Sequence, residues 1–262
     1  MSVYADQMNR TVDVPSTPKR IISLVPSQTE LLFYLGLDNE IIGITKFCIH
    51  PSDKVKQKVK IGGTKTLNIN LIKELKPDLI IGNKEENERS QIEELMKSFP
   101  VWMSDIADLD GATDMIKRVG ELVRKNTGAE KLAGAINSGF DRLDIKKQNL
   151  RVAYLIWRKP YIIAGKGTFI DDMLQKCSLT NAFDAERYPE LTAEQLKAAK
   201  PDVVLLSSEP YPFKEKHIAE FKALLPGAVI KLVDGELFSW YGSRLLNAPG
   251  YFKHLIKELG LV

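Results

Sequence analysis

Two stretches of the chain share one pattern. Residues Leu71–Ile81 read LIKELKPDLII, and residues Glu194–Leu206 read EQLKAAKPDVVLL. In each, a short amphipathic segment runs into Lys-Pro-Asp and then into a continuous apolar run. Proline cannot continue a helix, and an unbroken apolar run suits a strand covered on both faces. The repeat therefore predicts helix, turn and buried strand twice, in a chain made of two related halves.

The starts of the two halves correspond in the same way. Arg20–Val25 (RIISLV) reads as a strand that leads through PSQTE into a helix over Leu31–Leu37. Arg151–Ile156 (RVAYLI) reads as a strand that leads through a glycine-rich turn into a helix over Phe169–Lys176. Strands that alternate with helices indicate parallel sheets with helices on both faces. The predicted fold is therefore α/β, with two Rossmann-like lobes built on central parallel sheets.

A helical segment is predicted between the halves, over residues 110–150. Its apolar residues Met115, Val119 and Leu122 recur at helical spacing, and the segment contains no proline. We expect a long rigid backbone helix with one break near residues 126–128, where Gly128 weakens the helix. The predicted division is an N-terminal α/β lobe over 1–109, a helical connector over 110–150 and a C-terminal α/β lobe over 151–262.

Composition excludes several classes of protein. The 262 residues carry a net charge of only +3, with acidic and basic residues mixed, so nucleic acid is not an expected partner. Two cysteines, Cys48 and Cys177, rule out a disulfide framework. No run approaches the roughly 18 apolar residues of a membrane span, and the first residues lack the pattern of a secretory signal. The chain as given is therefore expected to be cytoplasmic, unless a signal has been removed.

Polar and aromatic residues follow the predicted strands, where ligands of open parallel sheets bind. After the first strand, Ser27 and Glu30 have the spacing of a capping box, and Gln28 lies beside Ser27. In the second half, three segments follow apolar runs and are expected to emerge on one edge of the C-terminal sheet. Aromatic rings suit flat ligands and arginine suits carboxylate, phosphate or amide oxygens. The candidate ligand contacts here are Trp157, Arg158, Tyr188, Trp240, Tyr241 and Arg244.

The sequence offers little for catalysis. It has no GxGxxG after a strand and no GxSxG, and residues 164–168 (AGKGT) match a phosphate-binding loop only at Gly-Lys. Cys48 and His50, two residues apart, are weak candidates for contact with a metal centre, against the alternative of an ordinary loop pair. We therefore expect no direct metal site, no intrinsic cofactor and no enzymatic activity.

Several motifs together resemble a known family. RIISLVPSQTELL (20–32), IGGT (61–64), NINLI (68–72), LKPDLI (75–80) and YPELTAEQL (188–196) are similar to segments of the substrate-binding proteins of metal-chelate ABC importers. The resemblance covers nearly the whole chain, and FCIHP (47–51) with the 188–196 block is most similar to the vitamin B12-binding branch. It implies the class III periplasmic binding protein fold, that of helical backbone metal receptors.

The resemblance also implies function. It implies that the protein captures a metal chelate in a cleft between two lobes, and that the leading candidate is a corrinoid such as cobalamin. It further implies that the protein serves ABC-type import or acts as a soluble carrier. It adds Phe47, Cys48, His50, Thr64, Asn83 and Lys84 to the candidate ligand contacts. Thr64, Asn83 and Tyr188 stand where the B12-binding branch has tryptophans. Glu194 matches an acidic residue that docks on the permease dimer, whereas the other such position holds Asn70.

The partners implied are a small-molecule chelate and an ABC permease dimer, with the protein itself a monomer. The implied location is the periplasm or the cell surface. Two alternatives stay open from the sequence. In the first, the ligand is haem or a ferric siderophore rather than a corrinoid. In the second, the chain is a chelatase-like enzyme that acts on a tetrapyrrole. A chelatase would place histidines and carboxylates together, whereas His217 and His254 fall on predicted helices far from the strand ends.

Overall fold

The computed structural model describes residues 2–146 and 150–260, and these divide into two compact units. The first contains Met1–Ile106, Asp110–Asn137 and Trp240–Arg244, and the second contains Ala107–Leu109, Ser138–Ser239 and Leu245–Val262. The expected boundaries differ in three respects: the helical segment contributes to both units, residues 107–109 belong to the second unit, and residues 240–244 belong to the first unit. Residues 1, 147–149, 261 and 262 of the expected lobes and connector lie outside the described residues.

The first unit is built on a parallel sheet preceded by an antiparallel hairpin. Within the described residues its sheet has the strand order β5-β4-β3-β6-β7, with every neighbouring pair parallel. The elements are β1 (Ser2–Ala5), β2 (Thr11–Val14), β3 (Ile21–Ser23), α1 (Pro26–Tyr34), β4 (Ile41–Ile44), α2 (Ser52–Val55), β5 (Val59–Lys60), α3 (Ile69–Leu75), β6 (Leu79–Asn83), α4 (Arg89–Met96), β7 (Val101–Ser104), α5 (Leu109–Leu122) and α6 (Asn126–Asp141).

The second unit also has a parallel centre. Strands β8, β12 and β13 are parallel, and the described strands follow the order β11-β9-β8-β12-β13, with β10 beside β8. The elements are β8 (Arg151–Trp157), β9 (Tyr161–Ile163), α7 (Phe169–Lys176), β10 (Thr180–Asn181), β11 (Glu190–Leu191), α8 (Ala193–Ala198), β12 (Val203–Ser207), α9 (Glu215–Leu224), β13 (Val229–Val233), α10 (Gly235–Ser239), a 3₁₀ helix (Ser243–Leu246) and α11 (Ala248–Glu258).

Both sheets confirm the predicted α/β class, and the second adds an antiparallel edge. Strand β9 runs antiparallel to β8, and β11 runs antiparallel to β9. The reason is the connection between β8 and β9, residues 158–160, which is too short for the crossover that a parallel pair requires. An edge strand of this kind is common on an otherwise parallel sheet.

The connector consists of two helices with one break, close to where the break was expected. Helices α5 and α6 are separated by residues 123–125, just before the predicted break, and Arg124 adopts a positive φ of 58°. The amide of Lys125 donates to the carbonyl of Gly120 and ends the first helix. A Cβ on Gly120 would collide with the side chain of Ala129, so glycine is required where the two helices approach each other.

The Lys-Pro-Asp repeat has the same structural role in both units. The carboxylate of Asp78 accepts hydrogen bonds from the backbone amides of Lys19 (2.8 Å) and Arg20 (2.9 Å), at the start of β3. The carboxylate of Asp202 likewise accepts from the amide of Arg151 (2.8 Å), at the start of β8. The turn that ends each helix therefore also fixes the first strand of its sheet.

We expect Asp78→Ala to lower the free energy of unfolding by about 1.5 kcal/mol, because two backbone amides lose their charged acceptor. Urea unfolding of the variant checks this value. Asp184→Ala, at an exposed residue of the second unit, is the matched control. An effect of Asp78→Ala no larger than that of the control would contradict the assigned role.

Candidate functional site

The loops that follow the strands of the first unit lie at one edge of its sheet. They comprise the start of α1 after β3, residues 45–51 after β4, residues 84–88 after β6 and residues 105–108 after β7. Because carboxyl ends of parallel strands share an edge, this is where a ligand of such a sheet binds. The candidate residues Ser27, Gln28, Phe47, Cys48, His50, Asn83 and Lys84 all lie in or next to these loops.

The start of α1 differs from the expected capping box. Val25 is the N-cap residue and Pro26 occupies the first helical position, so Ser27 already lies inside the helix and does not cap it. The Glu30 side chain instead binds Arg244. By contrast, Thr192 and Gln195 form a complete capping box at α8, as their spacing predicts.

Residues 240–244 pack onto this part of the first unit. The guanidinium of Arg244 binds the carboxylate of Glu30 through two hydrogen bonds, at 2.6 and 3.1 Å. The ring of Trp240 packs edge-on against His50, 5.6 Å between centroids, and Arg244 lies over its face at 4.9 Å. A Cβ on Gly242 would collide with the carbonyl of Ser27, so the segment needs glycine there.

This packing corrects the expected placement of three site residues. Trp240, Tyr241 and Arg244 were expected at the strand ends of the C-terminal lobe, whereas the structure groups them with the first unit. Trp240 and Tyr241 are buried, and Arg244 is engaged by Glu30. Sequence reasoning missed the Arg244–Glu30 pair, since no local pattern joins two residues 214 positions apart.

A buried polar layer lies beneath the strand-end loops of the first unit. Gln28 donates through Nε2 to the hydroxyl of Ser104 (2.6 Å), which also accepts from the amide group of Asn83 (2.9 Å). Among the described residues, the hydroxyl of Ser27 and the Oε1 atom of Gln28 are buried without a hydrogen-bond partner. Gln28 and Asn83 therefore position the loops of the site from below.

The loop after β4 contains both exposed and buried candidates. The side chain of Phe47 is 50% exposed, whereas Cys48 is buried with its Sγ atom 3.2 Å from the hydroxyls of Thr29 and Thr45. Burial raises the pKa of the Cys48 thiol, so the thiol keeps its proton at neutral pH and is a poor metal ligand. Within residues 2–146 and 150–260, no three side chains of His, Cys, Asp or Glu are arranged to hold a metal ion.

Two further candidates lie on the loops around β6. Thr64 is half-buried, and its carbonyl accepts a hydrogen bond from the side chain of Asn87 at 3.1 Å. Lys84 is exposed and forms an ion pair with Asp105 at 2.6 Å. Lys84 is therefore held at the end of β6 by a residue that follows β7.

The second unit presents a partly exposed aromatic side chain at the end of β8 and another just before β11, which differs from the expectation that the Tyr188 segment follows a strand. Trp157, the last residue of β8, is 39% exposed and packs edge-on against Tyr211, 5.6 Å between centroids. Tyr188 is 37% exposed, with the guanidinium of Arg187 at 6.0 Å from its ring centroid. Arg158 forms a 2.7 Å ion pair with Glu220. The sequence analysis did not name Tyr211 as a candidate, although it follows β12 and residues that follow a strand are the expected ligand contacts of a parallel sheet.

Glu194 lies in the first turn of α8 and is exposed. Hydrogen bonds from its own backbone amide and from the hydroxyl of Thr192 lower the pKa of its carboxyl, so it is ionised at neutral pH. Asn70 is exposed in the first turn of α3, the corresponding helix of the first unit. The two helices thus present one carboxylate and one amide.

Comparison with known proteins decides the family. The model of the periplasmic binding protein family matches residues 21–225. The chain belongs to this family. Its curated relatives include an uncharacterised ABC transporter substrate-binding lipoprotein of Bacillus subtilis, 27% identical over 76% of this chain and 67% of the relative, and the vitamin B12-binding protein of Vibrio cholerae, 27% identical over 74% of this chain and 72% of the relative.

A solved structure shows the same fold. The periplasmic haem-binding protein BhuT, in complex with two haems, is 23% identical and superposes with a TM-score of 0.78 over 92% of this chain and 97% of that chain. The resemblance drawn from the sequence motifs is therefore confirmed at the level of family and fold. Among the described residues, every helix is too short or too polar to cross a lipid bilayer.

Proposed function

We propose that this protein is a substrate-binding protein that captures a metal chelate and delivers it to an ABC-type permease, and that it is not an enzyme. The observation that carries the proposal is the set of half-exposed aromatic rings at or near the strand ends of both sheets. Phe47 lies in the first unit, and Trp157 and Tyr188 in the second. Flat apolar rings of this kind bind macrocycles and other planar chelates through contact area.

A corrinoid is the first candidate ligand. The vitamin B12-binding protein of Vibrio cholerae is similar over most of this chain, which supports this choice. Haem is the second candidate, supported by the shared fold of the haem-binding protein. A ferric siderophore is the third, and rests on the motif resemblance alone. The chelate is cargo, and we propose that the protein has no intrinsic cofactor.

We assign the candidate residues two roles. The exposed or half-exposed ones, Phe47, His50, Thr64, Trp157 and Tyr188, are proposed to contact the ligand, together with Lys84, which stays exposed although it is paired with Asp105. The buried or ion-paired ones, Ser27, Gln28, Cys48, Asn83, Arg158, Trp240, Tyr241 and Arg244, are proposed to hold the loops that present them. This division follows from burial, because a side chain without exposed surface cannot contact a ligand unless the structure around it moves.

The permease partner is proposed from the relative of Bacillus subtilis, a substrate-binding lipoprotein of an ABC transporter. Glu194 is the proposed docking residue, since its exposed carboxylate suits an arginine on the partner. A location outside the cytoplasmic membrane and a monomeric state accompany this proposal. An enzyme of similar architecture is disfavoured, because the family whose model the chain matches consists of binding proteins.

The test is retention of a coloured ligand. The purified protein is mixed separately with cyanocobalamin, haem and a ferric siderophore, freed of unbound ligand by gel filtration and examined by visible absorption. We expect the bands of at least one chelate to elute with the protein. Elution of all three chelates away from the protein would overturn the proposal.

A further inference from the structure

The loop after β4 holds its exposed ring in one place. The backbone amide of Lys46 donates to the carbonyl of Gly62 at 2.8 Å, which fixes the residue before Phe47. The residue after it, Cys48, is buried, and its carbonyl accepts a hydrogen bond from the Lys60 ammonium at 3.4 Å. Phe47 is therefore anchored on both sides while half of its own surface remains exposed.

The ring lies against a glycine backbone. A Cβ built on Gly63 would approach the ring of Phe47 at 3.1 Å and the Lys46 side chain at 3.5 Å. The first distance is tight, so a side chain at position 63 would press on the ring, whereas the second is ordinary van der Waals contact. The absence of a side chain at Gly63 thus leaves room for the Phe47 ring against residues 61–64.

A positive charge lies beside this ring. The Nζ atom of Lys46 is 5.1 Å from the centroid of Phe47, and the residue is exposed. Over the residues that the structure describes, the ammonium of Lys46 forms no ion pair with a carboxylate. It differs in this from Lys84, which binds Asp105, and from Arg244, which binds Glu30. The Lys46 charge is therefore available to an external anion next to an aromatic surface.

On this basis we propose that Lys46 is a specificity-determining residue that binds an anionic group on the rim of the chelate while Phe47 contacts its flat face. The inference rests on the proposed function. The group is a carboxylate or a phosphate, since a lysine ammonium binds either as a point charge. A haem supplies the first through its propionates, and cobalamin supplies the second through its nucleotide arm.

Two pairs of ligands test this proposal. In each pair, one member carries the anionic group and the other lacks it. The pairs are haem against its dimethyl ester, and cyanocobalamin against dicyanocobinamide, which lacks the nucleotide arm. Dissociation constants are measured for the wild type, Lys46→Gln and the control Lys56→Gln, an exposed lysine of the same half of the chain. Thermal unfolding of each variant verifies that it is folded.

We expect Lys46→Gln to weaken binding of the member that carries the anionic group, in at least one pair, by about fivefold, as for one partly exposed ion pair, and to leave binding of the member that lacks this group unchanged. The pair that responds identifies the group as carboxylate or phosphate. Lys56→Gln should change neither. An equal effect of Lys46→Gln on both members of each pair, or no effect on either, overturns the role of Lys46 while the proposed function stands. Failure of all four ligands to bind the wild type overturns the role of Lys46, and it overturns the proposed function as well when a ferric siderophore also fails to bind.

Discussion

Trp240→Ala should lower the free energy of unfolding by about 3 kcal/mol, the lower end of the range for deleting a buried tryptophan. The side chain is only 5% exposed and contacts both His50 and Arg244. Its loss would leave a cavity and remove the ring on which the Arg244 guanidinium rests. Urea and thermal unfolding measure the effect.

The matched control is Trp157→Ala, which removes a tryptophan that is 39% exposed. We expect this variant to lose distinctly less stability than Trp240→Ala, because a larger part of its side chain is already in water. Equal destabilisation by the two variants would contradict the view that Trp240 is a core residue of the first unit. So would a Trp240→Ala variant that unfolds like the wild type.

Trp157→Ala should weaken chelate binding by about 2 kcal/mol, roughly thirtyfold, the effect typical of an aromatic residue at the centre of a binding surface. The ring ends β8 and is supported edge-on by Tyr211. Calorimetric titration with the chelate that binds the wild type gives the value. Trp157→Phe should recover most of the affinity, because it keeps an aromatic face.

Unchanged affinity would remove Trp157 from the proposed ligand contacts. If Trp157→Ala binds the chelate as tightly as the wild type and is equally stable, the ring lies outside the binding surface. Tyr188→Ala provides an independent comparison, since Tyr188 is about as exposed and has the Arg187 guanidinium beside its ring. We expect its effect to have the same direction.

Local sequence patterns were sufficient to predict the architecture. The Lys-Pro-Asp repeat predicted two related halves, and its aspartates indeed fix the first strand of each parallel sheet. The break between α5 and α6 was placed within a few residues, because glycine and backbone strain act locally. The antiparallel strand β9 was missed, since the segment after β8 was considered only for its candidate ligand contacts, Trp157 and Arg158.

The candidate site was harder to predict because its contacts are long-range. Trp157, at the end of β8, and Tyr188, two residues before β11, are both partly exposed, and their contact with a ligand stays a prediction. Trp240 and Arg244 were grouped with them because their segment also follows an apolar run, yet they pack with His50 and Glu30 of the first unit. The residues next to a tryptophan in the sequence do not show whether its ring is exposed at the end of a strand or packs against a distant segment of the chain. Burial and tertiary partners make that distinction, and they exist only in the folded protein.

The central claim, capture of a metal chelate, is tested most directly by isothermal titration of the purified protein. Cyanocobalamin, haem and a ferric siderophore are titrated beside a metal-free amino acid and a metal-free sugar. The account predicts saturable binding of at least one chelate and no heat of binding from the amino acid or the sugar. Saturable binding of the amino acid or the sugar, with none of the three chelates bound, would contradict it.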